Sequence, residues 1–291
     1  MPYNNYYEAN AANGHDSDVM NSQPVSNKNA DKLHDPNIVK LLWTSGWDST
    51  FRLLQLVLEK KVTVLPLYII ITGRASTPVE IKAITKIKKL LFKLFPEAAD
   101  RILPTIFFDI HDLPEYSEIT AKYNALFDKS YLGSQYIGLA KFAKYLDISD
   151  LELSIHVDDT AYKFIKSFVV KHEDQHGEYY SLDPAMDDND PLSLFKPFRL
   201  PMLEWSKVAM KEHAIKTGTL DIMKLTWFCH NPINGEPCGI CNPCRYSIAE
   251  GMEFRFPKKA LMRYRKDELR RKIQKRYPAA FKLYNLIKGK K

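Results

Sequence analysis

All four cysteines of this 291-residue chain, Cys229, Cys238, Cys241 and Cys244, fall in one short stretch with the spacing C-x8-C-x2-C-x2-C. Nothing else in the sequence constrains the fold as tightly. Thiolates with two residues between them, Gly239 and Pro243 among these, turn sharply enough for several sulfurs to reach one tetrahedral ion at about 2.3 Å. A closed structural Zn2+ site with these four ligands is the primary expectation. Two disulfides and an iron–sulfur cluster are the competing readings. Disulfides fit less well, because the chain opens without the charged and apolar pattern of a signal sequence, and a cytosolic thiol pool keeps such pairs reduced. With every cysteine in this cluster, a persulfide mechanism on the chain's own thiol is not expected.

The 45% hydrophobic content is enough for one large core with appendages. The longest apolar run, 64–71, contains Pro66 and is too short to cross a bilayer, so a cytoplasmic protein without membrane contact is expected. The formal charge of +7 conceals an asymmetry. From Pro257 onward there are 14 Lys and Arg against two acids, Asp267 and Glu268, whereas the remainder has 28 basic and 33 acidic residues. A basic segment of this density attracts a nucleic acid or an acidic protein, more weakly as salt rises. A solvated helix, or one docked on the acidic body, is the plainer alternative.

Residues 1–36 are rich in Asn, Asp, Ser and Ala without apolar period, and are expected to be a disordered tail. From Ile38 short apolar runs alternate with longer amphipathic ones, the pattern of a parallel sheet crossed over by helices. The domain should occupy 37–256, including the metal loop 229–244, with a basic helical tail over 257–291. Strands are expected at 38–43, 62–71, 105–109 and 151–155, and helices after the Ser-Gly turn, with Phe51, Leu54 and Leu58 on one face, and at 77–95, 134–146, 203–216 and 258–276. Thr77-Pro78-Val79-Glu80 has the form of a capping box. The polar stretch 171–190 reads as an exposed loop or hairpin, with a lid as a further option.

Thr44-Ser45-Gly46-Trp47-Asp48-Ser49-Thr50 stands where the first strand hands over to a helix. Its backbone N–H groups can cradle phosphates, its hydroxyls add donors, and Asp48 can hold Mg2+ bridging phosphate oxygens. An ordinary Ser/Asp-rich helix cap is the alternative.

This turn resembles the S-G-G-x-D-S loop of the ATP pyrophosphatase superfamily. The cysteine cluster preceded by Leu225-Thr226-Trp227 looks like that of the 7-cyano-7-deazaguanine synthase family within it. Gly73-Arg74 with Glu80, and Pro197-Phe198-Arg199 followed by Ser206-Lys207, are further points of similarity along 38–252. The resemblance implies a Rossmann-like, adenine nucleotide alpha hydrolase-like parallel sheet with helices on both faces. It also implies a magnesium-dependent ligase that converts a 7-carboxy-7-deazaguanine-like carboxylate, ammonia and ATP into an amide or nitrile, with AMP and pyrophosphate released. Queuosine biosynthesis is the implied pathway, and a homodimer the implied assembly. On this reading Thr44 to Thr50 bind ATP, Asp48 holds Mg2+, and Lys207 and Arg74 counter the pyrophosphate charge. The chain departs from the family where Thr44 and Ser45 replace Ser and Gly, and where Gly133-Ser134-Gln135 stands near a Gly-Arg-Asn segment.

Other readings compete. An adenylating enzyme could join a deazapurine to a protein or nucleic-acid amine, and a catalytically weak, zinc-stapled scaffold could bind nucleotide or nucleic acid. His172-Glu173-Asp174-Gln175-His176 spells the H-E-x-x-H of zinc proteases, but Asp174, Gln175 and Gly177 are poor helix material there and Gly177 would end the turn directly after the second histidine. His156 with Asp158 and Asp159 either binds a cation or is satisfied by its neighbours.

Overall fold

The computed structural model describes residues 30–71 and 73–278, with the backbone of two short strands nearer the start. The rest of the stretch expected to be disordered, and 279–291 of the basic tail, lie outside the described residues. Two compact units emerge, Met1–Trp227 and Phe228–Lys291.

In chain order the first unit begins with β1 (Tyr7–Glu8), β2 (Gln23–Pro24), α1 (Ala30–Leu33), β3 (Ile38–Leu42), α2 (Trp47–Leu54), β4 (Thr63–Ile70), α3 (Thr77–Leu94) and β5 (Ile106–Asp109). It continues through α4 (Ser117–Lys129), α5 (Gln135–Tyr145), β6 (Leu151–Glu152), α6 (Tyr162–Ile165), β7 (Val169–Asp174), β8 (Gly177–Leu182), β9 (Phe198–Arg199), α7 (Lys207–Lys216) and α8 (Leu220–Met223). Five strands run parallel in the spatial order β5-β4-β3-β6-β9, and β1 with β2 extends the β5 edge antiparallel.

Alternation along the strands sends neighbouring residues to opposite faces. On one face Tyr68 meets Phe107 at 5.5 Å and donates its hydroxyl to Glu80 of α3 at 2.8 Å. On the other, Phe108 lies 5.3 Å from Phe142 of α5, in a buried cluster that also takes in Leu42, Leu65, Leu67 and Tyr123. Both faces are therefore covered, which is why β4 is buried through 64–68. Pro66 is tolerated in this central strand because the β5 ladder begins only at Leu67↔Ile106. Between α2 and β6, Arg52 grips Glu152 with Nε to Oε2 at 2.8 Å and Nη2 to Oε1 at 2.7 Å, both side chains buried.

Several elements differ from the sequence expectation. The capping box does not form. Ser76 precedes the helix without a side-chain cap, Thr77 Oγ1 donates back to the Ile71 carbonyl, and Glu80 is taken by Tyr68. The strand expected over 151–155 is only Leu151–Glu152, and the helix expected from 203 starts at Lys207. The stretch from 171 opens as one arm of a hairpin, β7 pairing β8 from Val169↔Leu182 to Asp174↔Gly177. Tyr180 and Leu200 exchange backbone hydrogen bonds, tying β8 to the residue after β9.

The second unit holds the cysteines with α9 (Asn242–Ala249) and α10 (Lys258–Arg276). Gly239 has φ 81°, and a Cβ there would lie 2.2 Å from the Ala260 carbonyl oxygen, so only glycine lets the metal loop approach α10. Arg263 donates from Nε to the Cys238 carbonyl at 2.7 Å and from Nη2 to the Pro237 carbonyl at 3.0 Å. Arg245 of α9 pairs with both acids of α10, Asp267 and Glu268.

Candidate functional site

The strand order reverses between β3 and β6, and the crevice beyond the carboxyl ends of such a strand pair is where open parallel sheets bind ligands. The turn Thr44-Ser45-Gly46 leaves β3 there and opens α2. Thr44 is exposed, whereas Ser45, Trp47, Ser49 and Thr50 are buried. Ser45 takes φ 55°, the left-handed region at the position where the resembling family has glycine. Its carbonyl accepts from the Trp227 N–H at 2.9 Å, which anchors the turn to the segment preceding the cysteines. Gly46 could not carry a side chain freely, because a Cβ would approach Thr44 Oγ1 at 3.3 Å.

The polar atoms of this turn divide into two groups. Thr50 Oγ1 accepts from Trp43 Nε1 at 2.9 Å, so that hydroxyl is engaged inside the fold. Ser45 Oγ, Ser49 Oγ and Asp48 Oδ1 are buried with no hydrogen-bond partner among the described residues, as is Ser154 Oγ just after β6. Each such orphan costs about 1–3 kcal/mol, and four at one strand switch describe a cradle complementary to a polar ligand.

His156 closes the other side. It is buried, and its Nδ1 accepts from the Asp158 N–H at 3.2 Å, which assigns the proton of the neutral ring to Nε2. Nε2 faces Asp48 Oδ2 at 3.7 Å. Nearby, Asp159 Oδ1 accepts from the Tyr136 hydroxyl at 2.7 Å and from the Ala161 N–H at 2.8 Å. Burial, then the Asp159 charge, pushes the Tyr136 phenol well above its ordinary range, and Asp48 adds to the effect. The sequence drew attention to His156, Asp158 and Asp159 but not to the meeting of His156 with Asp48. That juxtaposition depends on β3 and β6 being neighbours, for which spacing carries no signal.

Lys207 stands in the first turn of α7, where Ser206 Oγ accepts from the Ala209 N–H at 3.2 Å. Trp205 packs against Phe51 of α2 in a tilted contact at 4.9 Å, and its carbonyl accepts from the Val157 N–H at 3.1 Å, so the start of α7 is tied to the loop carrying His156. Arg74 is held at the start of α3, with Nη2 3.4 Å from Glu80 Oε1. The structure thus gathers Ser45, Asp48, Ser49 and His156, while Thr50 and Arg74 are committed to neighbours of their own.

In the second unit the four cysteine sulfurs lie within 4.8 Å of one another, close enough to hold one metal ion and compatible with zinc. Cys238 and Cys244 sulfurs are 3.8 Å apart, and those of Cys229 and Cys241 are 3.9 Å apart. A tetrahedron with ~2.3 Å metal–sulfur bonds has edges of about 3.8 Å. The thiols are free, not disulfide-bonded. Backbone N–H groups of Cys238 and Cys241 point at Cys229 Sγ and Cys238 Sγ, each at 3.2 Å, the outer support that orients thiolate ligands. The sulfurs resist ionising together. Hydrogen bonding with Cys241 pushes the Cys229 thiol up to about 12, Cys244 is also raised, chiefly through Cys229, and Cys241 is lowered as the favoured thiolate. A divalent cation removes that conflict, so the donor set fits zinc.

Among the described residues no other group of three or more His, Cys, Asp or Glu side chains could hold a metal ion. His156 with Asp158 and Asp159 is therefore not such a site. The H-E-x-x-H segment lies in the hairpin, not on the helix a zinc protease needs, and His172 Nε2 is 2.9 Å from Ser181 Oγ. Among the described residues no helix is long and apolar enough to cross a membrane. Neither protein-family models nor curated proteins give a match to this chain.

Proposed function

We propose that the chain is an ATP-dependent carbon–nitrogen ligase of the ATP pyrophosphatase type, activating a 7-carboxy-7-deazaguanine-like carboxylate for reaction with ammonia. The observation that carries this reading is the set of buried, unpartnered atoms Ser45 Oγ, Ser49 Oγ and Asp48 Oδ1 at the strand switch. The order β5-β4-β3-β6-β9 with both faces covered agrees with a Rossmann-like, adenine nucleotide alpha hydrolase-like fold.

In this mechanism the Ser45 and Ser49 hydroxyls donate to phosphate oxygens, and the positive end of α2 adds to their field. Asp48 would hold Mg2+, which supplies charge neutralisation across the phosphates when bound. The substrate carboxylate attacks the α-phosphorus and pyrophosphate leaves, its developing charge countered by Lys207. Ammonia then attacks the acyl carbon, AMP departs, and an amide results. A second ATP adenylates the amide oxygen with release of pyrophosphate, and that oxygen then leaves as AMP with loss of two protons from nitrogen, giving the nitrile. His156, with Nε2 3.7 Å from Asp48 Oδ2, packs beside that carboxylate.

The test supplies the zinc-loaded protein with Mg-ATP, ammonium and 7-carboxy-7-deazaguanine, following AMP by chromatography and products by mass spectrometry. AMP with amide or nitrile is expected. Asp48→Ala should reduce turnover by at least about 100-fold, the scale of losing a main electrostatic contributor, with zinc content and folding intact. Normal AMP production by that variant would overturn the assignment. AMP without amide or nitrile would redirect the search to a protein or nucleic-acid amine.

A further inference from the structure

We infer that α10 is a nucleic-acid-binding helix, recognising the phosphate backbone through cations that the fold leaves exposed. Its ten Lys and Arg face two acids, Asp267 and Glu268, and the structure shows where those acids go. Both are engaged by Arg245 of α9, and Asp267 also accepts from Arg271 Nε at 3.2 Å. The acids therefore lie on the packed side of the helix, together with buried Ala260 and with Arg263, which serves the metal loop. Beyond Glu268 every residue of α10 is exposed. Arg271, Lys272, Lys275 and Arg276 crowd these last turns, and such a run of like charges attracts a polyanion.

The distribution of charge selects the polyanion. At 100° per residue, Arg265, Lys272 and Arg276 line one flank of the side turned away from the packed residues and Lys259 and Lys266 the other, while Arg271 and Lys275 continue the azimuth of the acids past the packed turns. A helix that lies in a lipid surface needs its cations segregated from a broad apolar face. Here exposed Met262, Leu269 and Ile273 form only a narrow stripe, and Lys266 interrupts it four residues after Met262. Cations on both flanks suit a helix between two phosphate backbones, as when a basic helix occupies a groove. An acidic protein would pair a patch on one side.

The experiment measures fluorescence anisotropy of a fluorescein-labelled mixed-sequence DNA duplex and an RNA hairpin against the full-length, zinc-loaded chain over a salt series. The triple variant Lys272→Gln/Lys275→Gln/Arg276→Gln changes exposed residues only, and circular dichroism with zinc content verifies its fold. Binding by the unaltered chain is expected to weaken linearly in log–log form with salt. For the duplex, the triple variant should lower that slope by about 2.7, at ~0.9 for each phosphate no longer neutralised. Lys82→Gln/Lys86→Gln/Lys93→Gln, an equal charge change on exposed positions of α3, should leave the slope unaltered. The inference is overturned if the α10 variant binds with an unchanged slope, or if neither nucleic acid binds while phosphatidylserine vesicles or polyglutamate do. None of these outcomes depends on turnover of the proposed ligase.

Discussion

Replacing Ser45 by glycine isolates the conflict built into the first-strand turn. Ser45 is fully buried at φ 55°, with an unpartnered hydroxyl. Relief of the left-handed backbone is worth about 1–2 kcal/mol, and removing a buried orphan hydroxyl about 1–3 kcal/mol more. Against these stands the larger conformational freedom of glycine in the unfolded chain, roughly 0.5–1 kcal/mol. Even the smallest gains exceed this cost, so Ser45→Gly should stabilise the ligand-free protein by at least about 1 kcal/mol. At a few degrees per kcal/mol for a domain of this size, the melting temperature should rise by about 2–4 °C. Ser45→Ala keeps the strained backbone and removes only the hydroxyl, so its gain should be smaller. With Mg-ATP present that advantage should shrink. A hydrogen bond from Ser45 to a charged phosphate is worth about 1.5–3 kcal/mol, so both variants should show a smaller ATP-induced rise than the unaltered chain. Thermal unfolding with and without Mg-ATP, followed by urea titration, measures both effects. A ligand-free Ser45→Gly protein that melts lower would refute the strain argument, and an undiminished ATP-induced rise would refute the role of the hydroxyl.

Three further outcomes are expected. Cys241→Ser, or treatment with a strong chelator, should take metal content below about one zinc per chain and expose 228–278 to proteolysis, because structural zinc contributes directly to folding; full metal retention would contradict the tetrathiolate site. Glu152→Ala strands the buried Arg52 guanidinium and should cost about 3–5 kcal/mol in urea unfolding, a loss below about 1 kcal/mol counting against the buried pair. Burial pushes the Lys88 ammonium down to about 8, whereas an unfolded lysine titrates near about 10.4. The unfolded chain therefore holds the extra proton between those values, and the Lys88 contribution to stability should rise with pH across that window. Lys88→Met should remove this rise, so an identical pH profile in the variant would contradict the assignment.

Much of the scaffold is legible in the sequence because it rests on local pattern. Buried parallel strands at 38–42, 63–70 and 106–109 and the α10 boundaries follow directly from apolar runs and breakers. Helix α4 is absent from the sequence expectation, yet its signal is there, with Ile119, Tyr123 and Leu126 buried at helical spacing. The capping box fails for a tertiary reason, since Tyr68 lies on the neighbouring strand and captures Glu80. Hairpin β7–β8 is ambiguous in the sequence because its strands are mostly only partly buried and lack the apolar alternation that marks a half-buried strand.

The sequence by itself determined that four thiolates lie close along the chain, that the turn after the first strand is rich in polar groups, and that the last segment is cationic. These are properties of neighbours in the chain, where spacing sets distance. Only the tertiary structure decided which polar groups are spent and which remain. It engages Thr50 with Trp43, leaves Ser45, Asp48 and Ser49 with orphan atoms, brings His156 to 3.7 Å from Asp48, and turns both acids of α10 toward Arg245. The physical reason is burial: a polar atom is committed or left open by what packs against it, and packing partners come from strands and helices far away in sequence.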